Sequence, residues 1–506
     1  MSDESEKDPG RTTPEVPDRA DTGIEGLDTV LQGGLPRDHA YLVQGRHGSG
    51  KTTLALQFLR AGAARGERTL YLATCESEEE IREVARSHGW HLDHDIVLHY
   101  HNPRESMGDE ADQSVFQPAE VELPRTIEAL REVIDEVDPQ RLVIDSLGEI
   151  RLLAPDGRRF RRQVLELKED LRGRRCTTLF CDDHRTEDQP VYSIVHGVID
   201  LEQLSPDYGS DRRRLRVAKL RGATYISGFH DFRIVTGGLE VYPRLVAAGH
   251  RQHTEAGTLS SGMEELDTLF GGGIDRGGAA LFLGPSGTGK SVLATRFAVT
   301  TAEEGARVAM YVFDERVQTL RKRASGLGMD LEGQLEEGRV ELRQVDPAEL
   351  SPGEFSHIVR RAVTEEDVEL VVIDSLAGYL NAMPSERFLS LHLHELLAYL
   401  NEQGVTVLMV MNQHGLPGTT RQTPFDVSYI ADSVLLFHTF EFAGALHRAI
   451  SVYKRREGPH EGTLRELRFG REGVTVGKPL KDFQGIFTGS PTYVGERLPF
   501  SGEEEE

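Results

Sequence analysis

The chain is written twice. Thr22-Gly23-x-x-x-Leu27-Asp28 returns as Ser261-Gly262-x-x-x-Leu266-Asp267, and Gly33-Gly34 returns as Gly272-Gly273, both at a spacing of 239 residues. The same spacing relates Lys51 to Lys290, Glu76 to Glu315 and Gly89 to Gly328, so the register runs without a gap over nearly seventy residues. Farther on, Leu142-Val143-Ile144-Asp145-Ser146 matches Val371-Val372-Ile373-Asp374-Ser375 at a spacing of 229. The first copy therefore carries about ten extra residues, and the polar stretch Asn102 to Glu120 is the expected insertion, a surface loop. Lys219-x-Arg221 matches Lys454-x-Arg456 at 235. A repeat this long is a duplicated domain. The expected division is a polar, acidic leader at 1–20, a first domain at 21–248, a linker at 249–257, a second domain at 258–494 and an acidic tail at 495–506.

Within each copy, short apolar runs such as Ala40 to Val43, Thr69 to Ala73, Leu142 to Ile144 and Thr177 to Phe180 alternate with helical patterns such as Thr53 to Ala64. Continuous apolar strands separated by helices predict an α/β fold with a mostly parallel sheet covered on both faces. The last third of each copy turns β-rich, as in Arg214 to Val217 and Ala449 to Tyr453, and predicts an antiparallel extension of the sheet.

Each copy carries one complete phosphate loop between a predicted strand and a predicted helix. The first is Gly45-Arg46-His47-Gly48-Ser49-Gly50-Lys51-Thr52, followed by Thr53, and the second is Gly284-Pro285-Ser286-Gly287-Thr288-Gly289-Lys290-Ser291. The glycines let backbone N–H groups curl around phosphate oxygens, the helix start adds partial positive charge, and the lysine reaches the β and γ phosphates. Thr52 and Ser291 are the expected hydroxyl ligands of Mg2+, and Asp145 and Asp374, at the ends of apolar strands, are the expected acids of the magnesium shell.

Between loop and acid, each copy has carboxylates just past a strand, Glu76 in one and Asp314-Glu315 in the other. That position suits a base that orients water on a γ-phosphate, although acids also favour helix starts, and Glu78 to Glu80 continue the run. The repeat selects Glu76 and Glu315 as the bases. Lys219 and Arg221, and likewise Lys454 and Arg456, fall on predicted strands two residues apart, where side chains share a face. Such a pair could embrace the γ-phosphate of a neighbouring subunit or simply be solvated. The spacing of Cys176, Cys181 and His184 fits no standard zinc pattern.

Composition narrows the class. The net charge is −25 over 506 residues, a field that repels phosphate backbones and anionic membranes. Nearly all the positive charge is arginine, which suits either a high-salt cytoplasm or a GC-rich genome. Three cysteines are too few for a disulfide framework, Met1 to Ala20 lacks the apolar core of a signal peptide, and no apolar run is long enough to span a bilayer. The expectation is a soluble, cytoplasmic protein with no nucleic-acid or membrane partner.

The duplicated loops, Asp-Ser strand ends, post-strand carboxylates and Lys-x-Arg strands resemble the KaiC family of RecA-type ATPases, over nearly the whole chain after residue 20. Gly23-Ile24-Glu25-Gly26-Leu27-Asp28, Val345-Asp346-Pro347-Ala348-Glu349-Leu350 and Gly489-Ser490-Pro491-Thr492 resemble strings characteristic of that family. The resemblance implies two tandem RecA-like P-loop domains, a homohexamer of two stacked rings, and ATP bound between adjacent subunits. It also implies slow hydrolysis in the first ring and Ser/Thr autophosphorylation in the second. Asp314 and Glu315 match the family's paired acids, whereas Cys75 occupies the first acid position of the first domain and leaves Glu76 alone. Ser428 aligns with one residue of the family's Ser-Thr phosphoacceptor pair, and Tyr429 replaces the other. The residues from Gly495 onward are few and end in four Glu, unlike the long regulator-binding tail of clock members, so a circadian oscillator is not expected.

The resulting expectation is an ATP-hydrolysing regulatory ring with serine autokinase activity and a signalling protein as its partner. Two other readings stand beside it. A DNA-associated recombinase or motor would need a basic channel that the sequence does not show. A nucleotide-gated scaffold would bind ATP with negligible turnover.

Overall fold

A computed structural model describes residues 18–92, 96–101, 118–183, 190–205, 209–246, 257–346, 348–381, 389–412, 430–470, 473–486 and 491–495. The chain divides into two compact units, Met1–Ser205 with Asp211–Arg244 and Pro206–Ser210 with Leu245–Glu506.

Each unit is built on one nine-stranded sheet. In the first, the order is Gly238–Tyr242, His230–Val235, Arg212–Leu220, Gly197–Leu204, Ala40–Gly45, Thr177–Asp182, Arg141–Asp145, Thr69–Ala73 and Val97–Tyr100. The six strands from Gly197–Leu204 to Val97–Tyr100 run parallel, and the other three continue as antiparallel hairpins. The second unit repeats the order, with Ala279–Gly284 at the centre between Thr406–Asn412 and Ser433–Phe442. The β-rich extension expected from the sequence is thus an antiparallel continuation of the same sheet.

The central strands are buried on both faces because their alternation serves two cores at once. Tyr41 and Val43 join one apolar cluster and Ala40 and Leu42 the other. Ala280 and Phe282 are divided from Ala279 and Leu281 in the same way. Helices Lys51–Ala64 and Lys290–Glu303 press their apolar sides on one face, so the turn that precedes each helix is fixed at the carboxyl end of the central strand. Ligands of open α/β sheets bind at that edge.

The first unit carries a buried ionic hub at a position where its twin has an apolar residue. Arg141, with no exposed side-chain surface, binds Glu67 at 2.5 Å and Asp21 at 2.8 Å and donates to the carbonyl of Phe58. Register places Leu370 at the same position in the second unit. Burial raises the proton affinity of Glu67, but the hydrogen bonds from Arg141 and Arg37 outweigh it and hold the carboxyl below its usual range. That contribution is present above the ordinary carboxylate range and is lost as pH falls through the depressed value. Arg141→Leu, which leaves Glu67 with Arg37 alone and Asp21 with Arg65 alone, is expected to destabilise the first unit by about 3 kcal/mol in urea unfolding near neutral pH. The loss should shrink on acidification.

Among the described residues, no helix is long and apolar enough to cross a membrane.

Candidate active site

The two phosphate loops open directly from the central strands. Gly50 and Gly289 cap the following helices with φ of 98° and 102°, a left-handed conformation that a side chain would strain. A Cβ on Gly45 or Gly284 would meet backbone of the next strand at 2.7 and 2.5 Å, so the loop root closes only on glycine. Neither helix has an acidic residue in its first turn, which leaves both amino ends open to an anion. Lys51 Nζ folds back to the carbonyls of Gly45 and Arg46 at 2.8 and 3.2 Å. Lys290 Nζ does the same to Gly284 and Pro285 at 2.9 and 2.6 Å, and burial lowers its pKa to about 8.

In the first unit a cavity of about 280 Å³ is lined by Gly48, Gly50, Lys51, Thr52, Thr53, Glu76 and Asp145 among others. Thr52 Oγ1 donates to Asp145 Oδ2 at 3.1 Å. In the second, a cavity of about 870 Å³ is lined by Ser286, Gly287, Gly289, Lys290, Ser291, Asp314, Glu315 and Asp374 among others. Burial raises the pKa of Asp374 against a hydrogen bond from Ser291. A hydroxyl on a strand-end carboxylate, beside a lysine and an open helix start, is a donor set that fits a magnesium ion carried in by a nucleotide. Ser49 and Thr288 are fully buried within their loops.

Glu76 is separated from the helix start that could have explained it. Helix Glu78–Ser87 is capped by Ser77, which accepts from Glu80 N while the Glu80 side chain accepts from Ser77 N, a complete capping box. Glu76 precedes that box and faces the cavity. Burial first, then the charges of Asp145 and Glu80, raise its pKa. Cys75 beside it keeps its proton, raised by burial, Glu149 and Asp145. In the second unit Asp314 accepts from Ser375 Oγ, and Gly378 leaves room for that carboxylate, since a Cβ there would come within 2.4 Å of Asp314 Oδ1.

The cation pairs sit at the other end of the sheet. Lys219 pairs with Val198 and Leu220 with Gly197, which faces Tyr41 near the start of the central strand. Lys454 pairs with Val434, which faces Leu281. Both lysines therefore lie about 10 Å along the strand from their own phosphate loop. The expected shared face is only partly realised, since a bulge interrupts each ladder beside the lysine, and the strands end at Leu220 and Arg455, one residue before Arg221 and Arg456. Lys219 Nζ binds the carbonyls of Tyr192 and Val195, and its pKa is lowered to about 8 by burial, Arg221 and Lys168. Arg221 binds the carbonyl of Ser193, Lys454 that of Ala431, and Arg456 the carboxylate of Asp432 at 2.8 Å.

Several residues of the two cavities escaped the sequence reading. Asp183 binds Lys51 at 2.5 Å, and register places Asn412 there in the second cavity. Tyr71 donates to Asp145 Oδ2 at 2.6 Å where the second copy has Met310. Glu149 lies 3.9 Å from Cys75 Sγ and so brings a carboxylate near the position where the acid pair is broken. Arg323 clasps Glu315 where the first copy has Val84. The signal was in the repeat itself, at aligned positions where the copies differ in charge or, at Tyr71 and Met310, in a polar hydroxyl. Ser428 and His184 lie outside the described residues.

A profile of the family described as "ATPase: KaiC" matches residues 20–246 and again 259–481, which is most of the chain. The chain belongs to the KaiC ATPase family. Among similar KaiC proteins, the "Circadian clock protein KaiC3" of Synechocystis sp. is 27% identical over 95% of both chains. The "Circadian clock oscillator protein KaiC" of Picosynechococcus sp. is 27% identical over 94% of this chain and 92% of its own. That of Synechococcus elongatus is 26% identical over the same shares. The two units described above are thus tandem KaiC domains with RecA-like α/β architecture, and the chain is an ATP-binding protein of an ATPase family.

Proposed function

We propose that each KaiC domain hydrolyses Mg-ATP at an interface with a neighbouring copy of the chain, in a homohexameric ring, and that this turnover serves regulation through a protein partner. The observation that carries this reading is the twofold recurrence of one constellation: phosphate loop, strand-end acid with its hydroxyl, and a post-strand carboxylate in the same cavity. The assigned groups are Gly45, Gly48, Ser49, Gly50, Lys51, Thr52 and Thr53 in the first domain. In the second they are Gly284, Ser286, Gly287, Thr288, Gly289, Lys290 and Ser291.

In this mechanism Lys51 and Lys290 leave their carbonyl partners and bind the β and γ phosphates. Thr52 with Asp145, and Ser291 with Asp374, would hold Mg2+, which when bound neutralises charge on the β and γ oxygens. Glu76 or Glu315 orients a water in line with the bond to the leaving ADP oxygen and accepts its proton as the new O–P bond forms and the old one breaks. Burial suits Glu76 to this, because a carboxylate with raised proton affinity is a better base. The cations Lys219 with Arg221, and Lys454 with Arg456, stabilise the γ-phosphate of the adjacent subunit, since their end of the sheet is turned away from their own loop.

We further propose that the second domain can transfer the γ-phosphate to Ser428, with Glu315 accepting the hydroxyl proton in place of water's. The test is peptide mass spectrometry after incubation with Mg-ATP. A phosphate on the Ser428 peptide is expected, absent from Ser428→Ala and from Glu315→Gln. An unmodified peptide alongside continuing phosphate release would make the protein an ATPase switch without autokinase activity.

A further inference from the structure

The two cavities differ in how they hold the carboxylate assigned as base. In the second, Arg323 Nη1 and Nη2 bind Glu315 Oε1 and Oε2 at 2.6 and 2.8 Å, a two-pronged pair that engages both oxygens. All of these groups line one cavity with Lys290, Ser291 and Asp374. Arg323 lies two turns into helix Val317–Gly326, and its side chain reaches back toward the helix start, the direction long helical side chains take. The helix does not depend on this pair for its seat. Leu320 and Ala324 supply its buried side, and a separate pair, Arg321 with Glu332, ties it to helix Leu331–Glu336. In the first cavity the equivalent position is Val84, which lines the pocket without charge, and among the described residues no ion pair reaches Glu76.

We propose that Arg323 is a positioning residue that holds Glu315 back from the γ-phosphate and so sets second-domain turnover below what the carboxylate would otherwise support. A nucleophile that approaches either oxygen meets a guanidinium N–H already in place, so the pair must open or turn before Glu315 can take a proton. The first domain, with valine there, has no such restraint. This makes the two rings unequal by one side chain, and it rests on the reading of Glu315 as the base.

The test uses the full chain carrying Glu76→Gln, so that phosphate release reports the second domain. Arg323→Met, which keeps length and helix propensity, is expected to raise kcat about fivefold with KM for ATP little changed, the factor a partly exposed ion pair can hold back. Arg323→Lys, limited to a single contact, should fall between. Adding Glu315→Gln should erase the gain. Loss of fold cannot imitate a rise in kcat. If Arg323→Met leaves turnover level or lowers it while Glu315→Gln still abolishes it, the restraint is wrong and the base stands. If Glu315→Gln alone leaves turnover intact, the base is wrong and the restraint falls with it.

Discussion

Glu76→Gln will lower first-domain phosphate release by about a hundredfold or more, the usual span of general-base catalysis, while ATP binding stays close to that of the parent. The amide matches the carboxylate in shape, and Lys51, Thr52 and Asp145 are untouched, so the loss should appear in kcat and not in KM. Glu315→Gln in the same chain isolates the first site for this measurement. Acid pH supplies a second readout. A base works only when deprotonated, and burial together with Asp145 and Glu80 raises the pKa of Glu76. First-site activity should therefore fall on acidification from a higher pH than an ordinary carboxylate would give, and Glu76→Gln should remove that limb. If Glu76→Gln retains turnover, the water is activated by another carboxylate, and Asp183 on Lys51 or Glu149 beside Cys75 becomes the group to replace.

Much of this arrangement was legible in the sequence because a duplicated motif carries its own control. The spacing that relates Lys51 to Lys290 also separates Glu76 from the acidic helix start beside it, and the capping box of Ser77 and Glu80 accounts for the acids that follow. Strand order was legible only as a class. That the central strand bears the phosphate loop and that the extension continues the same sheet follow from long-range pairings such as Leu42 with Phe180 and Val198. The Lys-x-Arg pairs were found but their geometry was not, because a bulge depends on the partner strand and leaves no mark in an alternating pattern. Asp183, Tyr71 and Arg323 were missed for a related reason. Each gains its role from a residue between 8 and 132 positions away, Glu315, Asp145 or Lys51, whose proximity only the fold creates. A comparison of the copies for what they do not share would have pointed to Arg323 opposite Val84 and to Tyr71 opposite Met310.

Replacement of both Lys219 and Arg221 by alanine is expected to lower first-domain hydrolysis by about a thousandfold, the scale on which an arginine finger acts. The ring should remain assembled and ATP should still bind. The position of these residues makes a sharper test available. They lie toward the amino ends of the parallel strands, whereas Lys51, Thr52 and Glu76 lie at the carboxyl ends, so on the proposed reading the cations of one copy serve the site of another. In a ring of head-to-tail contacts each site then takes its loop from one subunit and its cations from the next. Two inactive variants should therefore complement each other: mixed equally and reassembled, Glu76→Gln and Lys219→Ala/Arg221→Ala chains should regain about a quarter of parental first-site activity, since random pairing restores that share of intact interfaces. Cations acting within their own chain would give no recovery at any ratio. Burial adds a pH mark, because it lowers the pKa of Lys219 to about 8. The contribution of this lysine should hold below that value and fade as pH rises through it, and Lys219→Arg, which cannot lose its charge there, should carry first-site activity to higher pH.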